Sequence, residues 1–314
     1  MKYSPSRHKT LKRCDRYYYL HYIEGWRETS EKPWLTYGKA IDELLSIYDL
    51  KGIDACLMSV GYYFVDEFEI INITYLLKHY HKKLGKKILA PLTVEGQPGN
   101  QWYGKAKLKP DYTESDIQVE GYLDKVSEDN GYPCVVERKT TADPIEYTSA
   151  YWKPLLQDKQ IISYTYLLSD VTGCPVNRVY YEVLRKCTPQ GKGMTAFKKS
   201  YTKNKKNVYY SIKEYEENVK NFFETTKITM VARRKLWVTD DMRSEWMADL
   251  IADDDHLANM MENARSYKAN DMNPILAYPR NQHGCEMYGG CQFIKFCNGE
   301  SELCDMDNIF KKEK

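Results

Sequence analysis

At 314 residues, 42% of them hydrophobic, the chain is long enough to bury a sizeable core in two domains or in one elaborated domain. No stretch approaches the roughly 18 apolar residues of a membrane span, and Lys2, Arg7, His8, Lys9, Lys12 and Arg13 interrupt any apolar leader, which predicts a soluble, intracellular, cytoplasmic protein with no membrane partner. A net charge of +2 excludes a uniformly basic protein, so a phosphate-binding surface has to be offset by acidic patches elsewhere.

Ser4-Pro5-Ser6 reads as a helix start, with Ser4 as N-cap and Pro5 in the first turn. Leu11, Cys14 and Tyr18 follow at helical spacing, which puts Cys14 on the buried stripe. From Tyr37, the apolar positions Ile41, Leu44, Leu45 and Tyr48 recur with the same period and leave Asp42 at the edge of the buried face. Another helix is expected from about Asp66 to Leu84, bounded by Gly85 and Pro91. The texture changes at Leu92, where short runs separated by turn residues predict strands over 92–96, 102–108, 117–126 and 132–139. Glu128-Asp129-Asn130-Gly131 joins the last two as a hairpin. A helix is expected over 153–169, strands over 178–186 and 194–201, and helices over 211–237 and 240–264.

This order predicts an α/β protein with a mixed central sheet flanked by helices. Its expected divisions are an N-terminal helical segment (1–91) carrying Cys14 and Asp42, a core (92–202), and a helical C-terminal region (203–314) with a cysteine cluster. Two basic runs stand out. One is Lys78, His79, His81, Lys82, Lys83, Lys86 and Lys87; the other runs from Arg185 and Lys186 through Lys192, Lys198, Lys199, Lys203, Lys205 and Lys206, interleaved with Tyr181, Phe197 and Tyr201 as in a DNA-tracking surface. Solvated faces are the plainer reading of both. The 28 tyrosines suit wet, half-buried grooves better than the 8 phenylalanines do.

Hydrolysis of a phosphodiester needs a hard divalent cation held by oxygen ligands, an activated water, and positive charge near the phosphoryl oxygens. Asp124 and Glu137 offer the ligands, the Arg138 carbonyl completes the shell, and Asp42 brings a third carboxylate from the helical segment. Strand alternation puts Lys139 on the face of Glu137, where it orients water and offsets developing charge, while Arg138 points away. Gln160 and Tyr164, one helical turn apart, are placed to position a DNA backbone. Any one of these residues alone is more often part of a surface ion pair; their order and element types together are hard to obtain by accident.

The sequence of Gly38, then Gly121 and Asp124, then Glu137 and Lys139, then Gln160 and Tyr164 resembles the PD-(D/E)XK nuclease superfamily. Within it, the chain resembles the RecB-like exonucleases that carry a 4Fe-4S cluster, which include CRISPR-associated exonucleases, AddB-type nuclease domains and phage-encoded relatives. The resemblance runs over nearly the whole chain, because Ser4-Pro5-Ser6-Arg7 leading to Cys14, and Arg280-Asn281 leading to Cys285, Cys291 and Cys297, look like these proteins too. It implies a restriction-endonuclease-like core, Mg²⁺ or Mn²⁺ as cofactor, and exonuclease action on single-stranded DNA or DNA ends, with 5′ to 3′ polarity. A helicase, integrase or recombinase as partner, in a bacterial or phage setting, belongs to the same picture. One departure is plain: where the family has a histidine four residues after the glycine, this chain has Asp42. A carboxylate leans toward all-oxygen coordination of a hard ion. The alternative is a nuclease-derived DNA-binding or assembly subunit with weakened or lost catalysis.

Nine cysteines in a reducing compartment point to metal ligation rather than disulfides. By resemblance, Cys14, Cys285, Cys291 and Cys297 bind a 4Fe-4S cluster, although the first gap of the triplet is wider than the common pattern. Cys304 offers a local alternative in which the C-terminal cysteines hold Zn²⁺. Closing roughly 270 residues of chain would remove about 5 kcal/mol of unfolded-state entropy, so a cluster spanning both ends is a strong staple. Cys56, Cys134, Cys174 and Cys187 are read as core or bystander thiols. No Walker-type glycine loop is present, so an ATP-driven helicase is not expected in this chain.

Overall fold

A computed structural model of the chain describes residues 2–29, 33–85, 89–110, 115–186, 211–286, 290–300 and 310–312. Lys86, Lys87, Cys187, the expected strand over 194–201, the lysine run from Lys192 to Lys206, and Cys304 lie outside the described residues. The chain divides into two compact units, each gathered from separated stretches. The first comprises Met1–Pro33, Lys105–Gly121 and Asp240–Lys314; the second comprises Trp34–Gly104 and Tyr122–Thr239. Among the described residues, no helix is long and apolar enough to cross a membrane.

The second unit is a mixed sheet flanked by helices, as the element order predicts. Helix α3 (Pro33–Tyr63) buries Tyr37, Ile41, Leu44, Leu45 and Tyr48 and is interrupted at Gly52, whose φ of 83° lies in the region glycine tolerates best. Helix α4 (Glu67–Leu84) starts where Asp66 accepts the Glu69 N–H at 2.9 Å, and it buries Ile73, Leu76, Leu77 and Tyr80 in the same core. Each such aliphatic side chain removed from water contributes about 1.5–3 kcal/mol. The core is completed by α6 (Ile212–Thr225), which carries a capping box at Ser211 and Glu214 and buries Tyr215, Val219 and Phe223.

In the sheet, β4 (Gln118–Asp129) pairs antiparallel with β5 (Tyr132–Thr141), β5 runs parallel to β6 (Arg178–Arg185), and β6 runs antiparallel to β7 (Val231–Trp237); β3 (Asn100–Lys107) pairs with β4. The parallel pair β5 and β6 is joined through α5 (Lys159–Thr172), the crossover such a pair requires. The hairpin turn is as expected: Asn130 (φ 54°) and Gly131 (φ 79°) both take the left-handed conformations that a two-residue turn needs.

Three expectations are corrected here. Residues 92–96 form no strand: Val94 and Gln97 exchange backbone hydrogen bonds across Glu95 and Gly96, both at positive φ, so the segment folds on itself. Helix α5 begins at Lys159, not near Lys153, because Pro154 to Gln157 form a tighter turn and Asp158 caps the helix by accepting the Gln160 N–H. The helix expected over 211–237 stops at Thr225, and the chain returns as β7. There the backbone groups of 231–237 pair with β6, and tertiary pairing overrides the weak helical pattern.

In the first unit, β1 (Lys2–Tyr3) lies parallel to the start of β4 at Gln118 and Val119. Ser4 caps α1 (Pro5–Arg13), its hydroxyl accepting the Arg7 N–H at 3.4 Å. The helix stops there, because Cys14 is fully extended (φ −171°, ψ 121°) before α2 (Asp15–Tyr18). Cys14 therefore sits at a junction and not within the continuous helix that the Leu11, Cys14, Tyr18 spacing predicts. Helix α7 (Asp240–Ala269) runs a turn further than expected. It is tied to α1 by Asp253, which is paired with His8 at 2.8 Å and with Lys12, and to β1 by the Trp246 indole N–H donating to the Tyr3 hydroxyl at 3.1 Å. Leu20, Trp26, Tyr278, Phe293 and Phe310 fill this unit's core.

Candidate active site

The second unit draws together every acidic and amide residue singled out in the sequence. The β4–β5 ladder runs from Asp129 and Tyr132 as far as Lys125 and Val136. One step beyond, the Asp124 carboxylate takes the place of a backbone acceptor and receives the Arg138 N–H at 2.7 Å. That bond sets Asp124 beside Glu137, on the face of the strand pair that also carries Lys139.

Glu137 is almost fully buried. One carboxylate oxygen accepts from the Lys139 ammonium, and the other, Oε2, is buried with no hydrogen-bond donor among the described residues; the carboxyl group as a whole lies within hydrogen-bonding reach of Asp124. An orphaned carboxylate oxygen is costly unless something else completes it. Lys139 also donates to Gln160 Oε1 at 3.1 Å, and the Gln160 amide donates to the Tyr164 hydroxyl at 2.8 Å. The two α5 residues are thus linked to the motif lysine in one chain of hydrogen bonds. Asp158 anchors that end of α5, accepting the Gln160 N–H and, at 2.9 Å, the hydroxyl of Tyr181 on β6.

The electrostatics place Asp42 with this group. Burial first, and then the neighbouring Asp124, push Asp42 up to about 7, against the opposing pull of Arg138 and Lys139. Burial and Asp124 likewise push Glu137 up to about 8, and burial raises Asp124 despite Lys139 and the Arg138 N–H. Lys139 is held above its ordinary value, burial being outweighed by Glu137 and Asp124. Three carboxylates with a single ammonium among them are an excess of negative charge in a dry place.

Among the described residues, no group of three or more His, Cys, Asp or Glu side chains stands as it is in an arrangement that could hold a metal ion. The donor set of Asp42, Asp124 and Glu137 is nevertheless oxygen-only, the kind a hard divalent cation takes, and such an ion would relieve the burial that raises all three and the added repulsion of Asp124 on Asp42 and Glu137.

Behind this site lies a second, largely buried ion network that the sequence reading missed. Arg138, pointing to the opposite face of β5, pairs with Asp49 of α3 and stands 3.6 Å from Glu182 of β6; Lys125 donates to Asp49 at 2.7 Å. Glu182 also accepts from Arg233 on β7 and, at 2.6 Å, from the Tyr80 hydroxyl of α4. Burial pushes Glu182 up, but Arg138 and Arg233 outweigh it and hold the carboxyl below its usual range. One signal was available: Asp49 lies seven residues after Asp42, on the same side of α3 and next to the buried Tyr48.

The cysteines gather in the first unit. Cys14 is buried, its thiol 4.0 Å from the Pro279 carbonyl; Cys285, Cys291 and Cys297 are half-buried, and the Cys291 N–H donates to the Cys285 carbonyl at 2.8 Å. Arg13 and Gly284 hold the two ends of the chain together, the guanidinium donating to the Gly284 carbonyl at 2.8 Å. The backbones approach so closely that a Cβ on Gly284 would lie 2.5 Å from the Arg13 carbonyl oxygen. Burial raises Cys297, with Cys14 and Cys285 adding to the rise and Arg16 and Arg280 opposing it. Cys291 is raised by burial and by Cys285 and Cys297, with Arg13 opposing. All four thiols therefore share one neighbourhood, without forming a closed ligand group as they stand. Cys56 and Cys134 are buried core thiols, whereas Cys174 is exposed.

The family model described as "PD-(D/E)XK nuclease superfamily" matches residues 2–298. No curated protein matches the chain. A solved structure from Eubacterium rectale, named "Putative exonuclease", is similar to it at 12% identity and a TM-score of 0.48, covering 97% of this chain and 91% of that one. The family match spans the sheet, the three carboxylates, the lysine and the α5 pair, and the chain belongs to the PD-(D/E)XK nuclease superfamily.

Proposed function

We propose that the protein is a divalent-metal-dependent DNA exonuclease acting on single-stranded DNA or DNA ends. The observation that carries the reading is the buried Glu137 Oε2, without a donor among the described residues, beside Asp124 and Asp42, with Lys139 on the other oxygen of Glu137. Asp42, Asp124 and Glu137 would hold Mg²⁺ or Mn²⁺, which supplies an activated water and neutralises charge on the phosphoryl group. Lys139 keeps a proton throughout the working pH range and directs it at the Glu137 oxygen and the space beside it, where it offsets charge developing on the phosphate. Gln160 fixes the direction of that ammonium. Tyr164, buried behind it, holds the Gln160 amide in place, so the pair positions Lys139 toward the phosphodiester backbone. The exonuclease assignment follows the motif order and its likeness to the RecB-like group.

The test is cleavage of end-labelled single- and double-stranded DNA with Mg²⁺, Mn²⁺ or EDTA. Metal-dependent loss of terminal nucleotides is expected, with Glu137→Gln and Lys139→Ala each lowering the rate by orders of magnitude and the double variant hardly lower than either single one. Asp42→His should keep activity and shift preference toward Mn²⁺, since imidazole suits the softer ion. Protein that binds DNA but cleaves none of it would instead be a nuclease-derived binding subunit.

The same reading includes a 4Fe-4S cluster on Cys14, Cys285, Cys291 and Cys297. It is supported by the convergence of thiols from both chain ends and by Arg13, Arg16 and Arg280, which favour the thiolate form. Anaerobically purified protein should be brown, and Cys14→Ser should bleach it. A colourless protein with one tight zinc that is indifferent to Cys14 would refute the cluster.

A further inference from the structure

On β4, the even-numbered residues Gln118, Glu120, Tyr122 and Asp124 point to the accessible face of the strand, whereas Val119, Gly121, Leu123 and Lys125 are buried. Tyr122 therefore shares a face with Asp124, about 7 Å from it along the strand at a rise of 3.3–3.4 Å per residue. It is 66% exposed. Its ring lies against Tyr103 of the neighbouring β3, with centroids 4.8 Å apart and planes at 44°. Two residues before Tyr103, Gln101 donates to Glu43 at 3.3 Å, and Glu43 adjoins Asp42. The tyrosine pair is thus continuous with the carboxylates on both sides, through β4 to Asp124 and through β3 to the turn of α3 that carries Asp42.

From this juxtaposition we infer that Tyr122, backed by Tyr103, stacks against a nucleobase of the DNA strand whose phosphate lies at Asp124; the inference rests on the nuclease reading above. A solvated aromatic ring braced by a second ring is a ready-made platform, because its orientation is fixed before the base arrives and every base has a π-face. The platform is indifferent to sequence, as a strand-degrading enzyme requires. A stacked base has to be unpaired from its complement, so the same ring favours single strands and frayed ends over intact duplex.

The experiment combines Tyr122→Ala with single-stranded oligonucleotides bearing one abasic nucleotide, stepped through the positions nearest the cleaved end. Wild-type protein should show one position at which the missing base raises KM about tenfold, the scale of one lost base–aromatic stack. Tyr122→Ala should show that higher KM on every substrate, no further penalty at that position, and an unchanged melting temperature; Tyr122→Phe should behave as wild type. A wild-type KM in Tyr122→Ala, or the same abasic penalty in both proteins, overturns the inference while leaving the nuclease reading intact. Fluorescence-anisotropy titrations of the same strands run in parallel read the stacking as Kd even if no cleavage occurs. Absence of both cleavage and binding would overturn both.

Discussion

Asp42 and Asp49 lie two turns apart on α3, and they serve the two faces of the motif strand differently. Asp42 adds negative charge to a site that already has too much, whereas Asp49 balances Lys125 and Arg138 in a place closed to bulk solvent. Three cations, Lys125, Arg138 and Arg233, stand against the two carboxylates of Asp49 and Glu182, so neither carboxylate can be spared. Asp49→Ala should therefore cost about 3–5 kcal/mol, because it leaves two buried cations without their shared partner; the denaturant midpoint measures it. Asp49→Ala that unfolds at the wild-type midpoint would mean that water reaches the cluster. The alternation of β5 was legible in the sequence, and with it the fact that Arg138 turns away from Glu137 and Lys139. Its partners were not, since Asp49 and Glu182 come from other elements, and a charged residue beside an apolar stripe reads as solvated until the packing is known.

Among the elements, those whose signal is local were the ones legible beforehand. Ser4-Pro5 starts α1, Asp66 starts α4, and Asn130-Gly131 turns the hairpin that brings Asp124 level with Glu137. Where a segment's fate depends on a distant partner, the pattern misled. Strand β7 is such a case: Arg233 and Lys235 are anchored by Glu182 on β6 and by Asp129 at the hairpin end, neither of which is near in sequence. The hairpin turn gives the cleanest test of the local kind. Gly131 sits at φ 79° with nothing within 4 Å of where a Cβ would be, so only the backbone conformation opposes a side chain. Gly131→Val should lose about 1–2 kcal/mol, the penalty of a left-handed conformation for an ordinary residue, seen as a lower denaturant midpoint with an unchanged slope. No loss of stability would show that the turn can adopt another type without disturbing the register.

For the molecule as a whole, the three elevated carboxylates predict how stability depends on pH and metal. Asp42 at about 7 and Glu137 at about 8, with Asp124 also raised, each stand above the roughly 4 of an unfolded chain. Between those limits the folded protein binds more protons than the unfolded one, so stability should fall as pH rises from about 5 to about 8. Glu182 and Asp253, both held below their usual range, contribute stability that is lost only as pH falls below about 4, outside this window. Lys139 is held above its usual value, so its contribution is lost only in strong alkali. The melting temperature of metal-free protein should thus decline from pH 5.5 to 8.5, and the decline should be shallower in Glu137→Gln, which removes one of the titrating groups. Added Mg²⁺ should reverse the decline at pH 8 and do much less at pH 5.5, where protons occupy the same oxygens; saturation at a hundredfold excess over Kd corresponds to about 2.7 kcal/mol. Equal stabilisation at both pH values, or the same pH slope in wild type and Glu137→Gln, would mean that the ion binds somewhere other than this cluster.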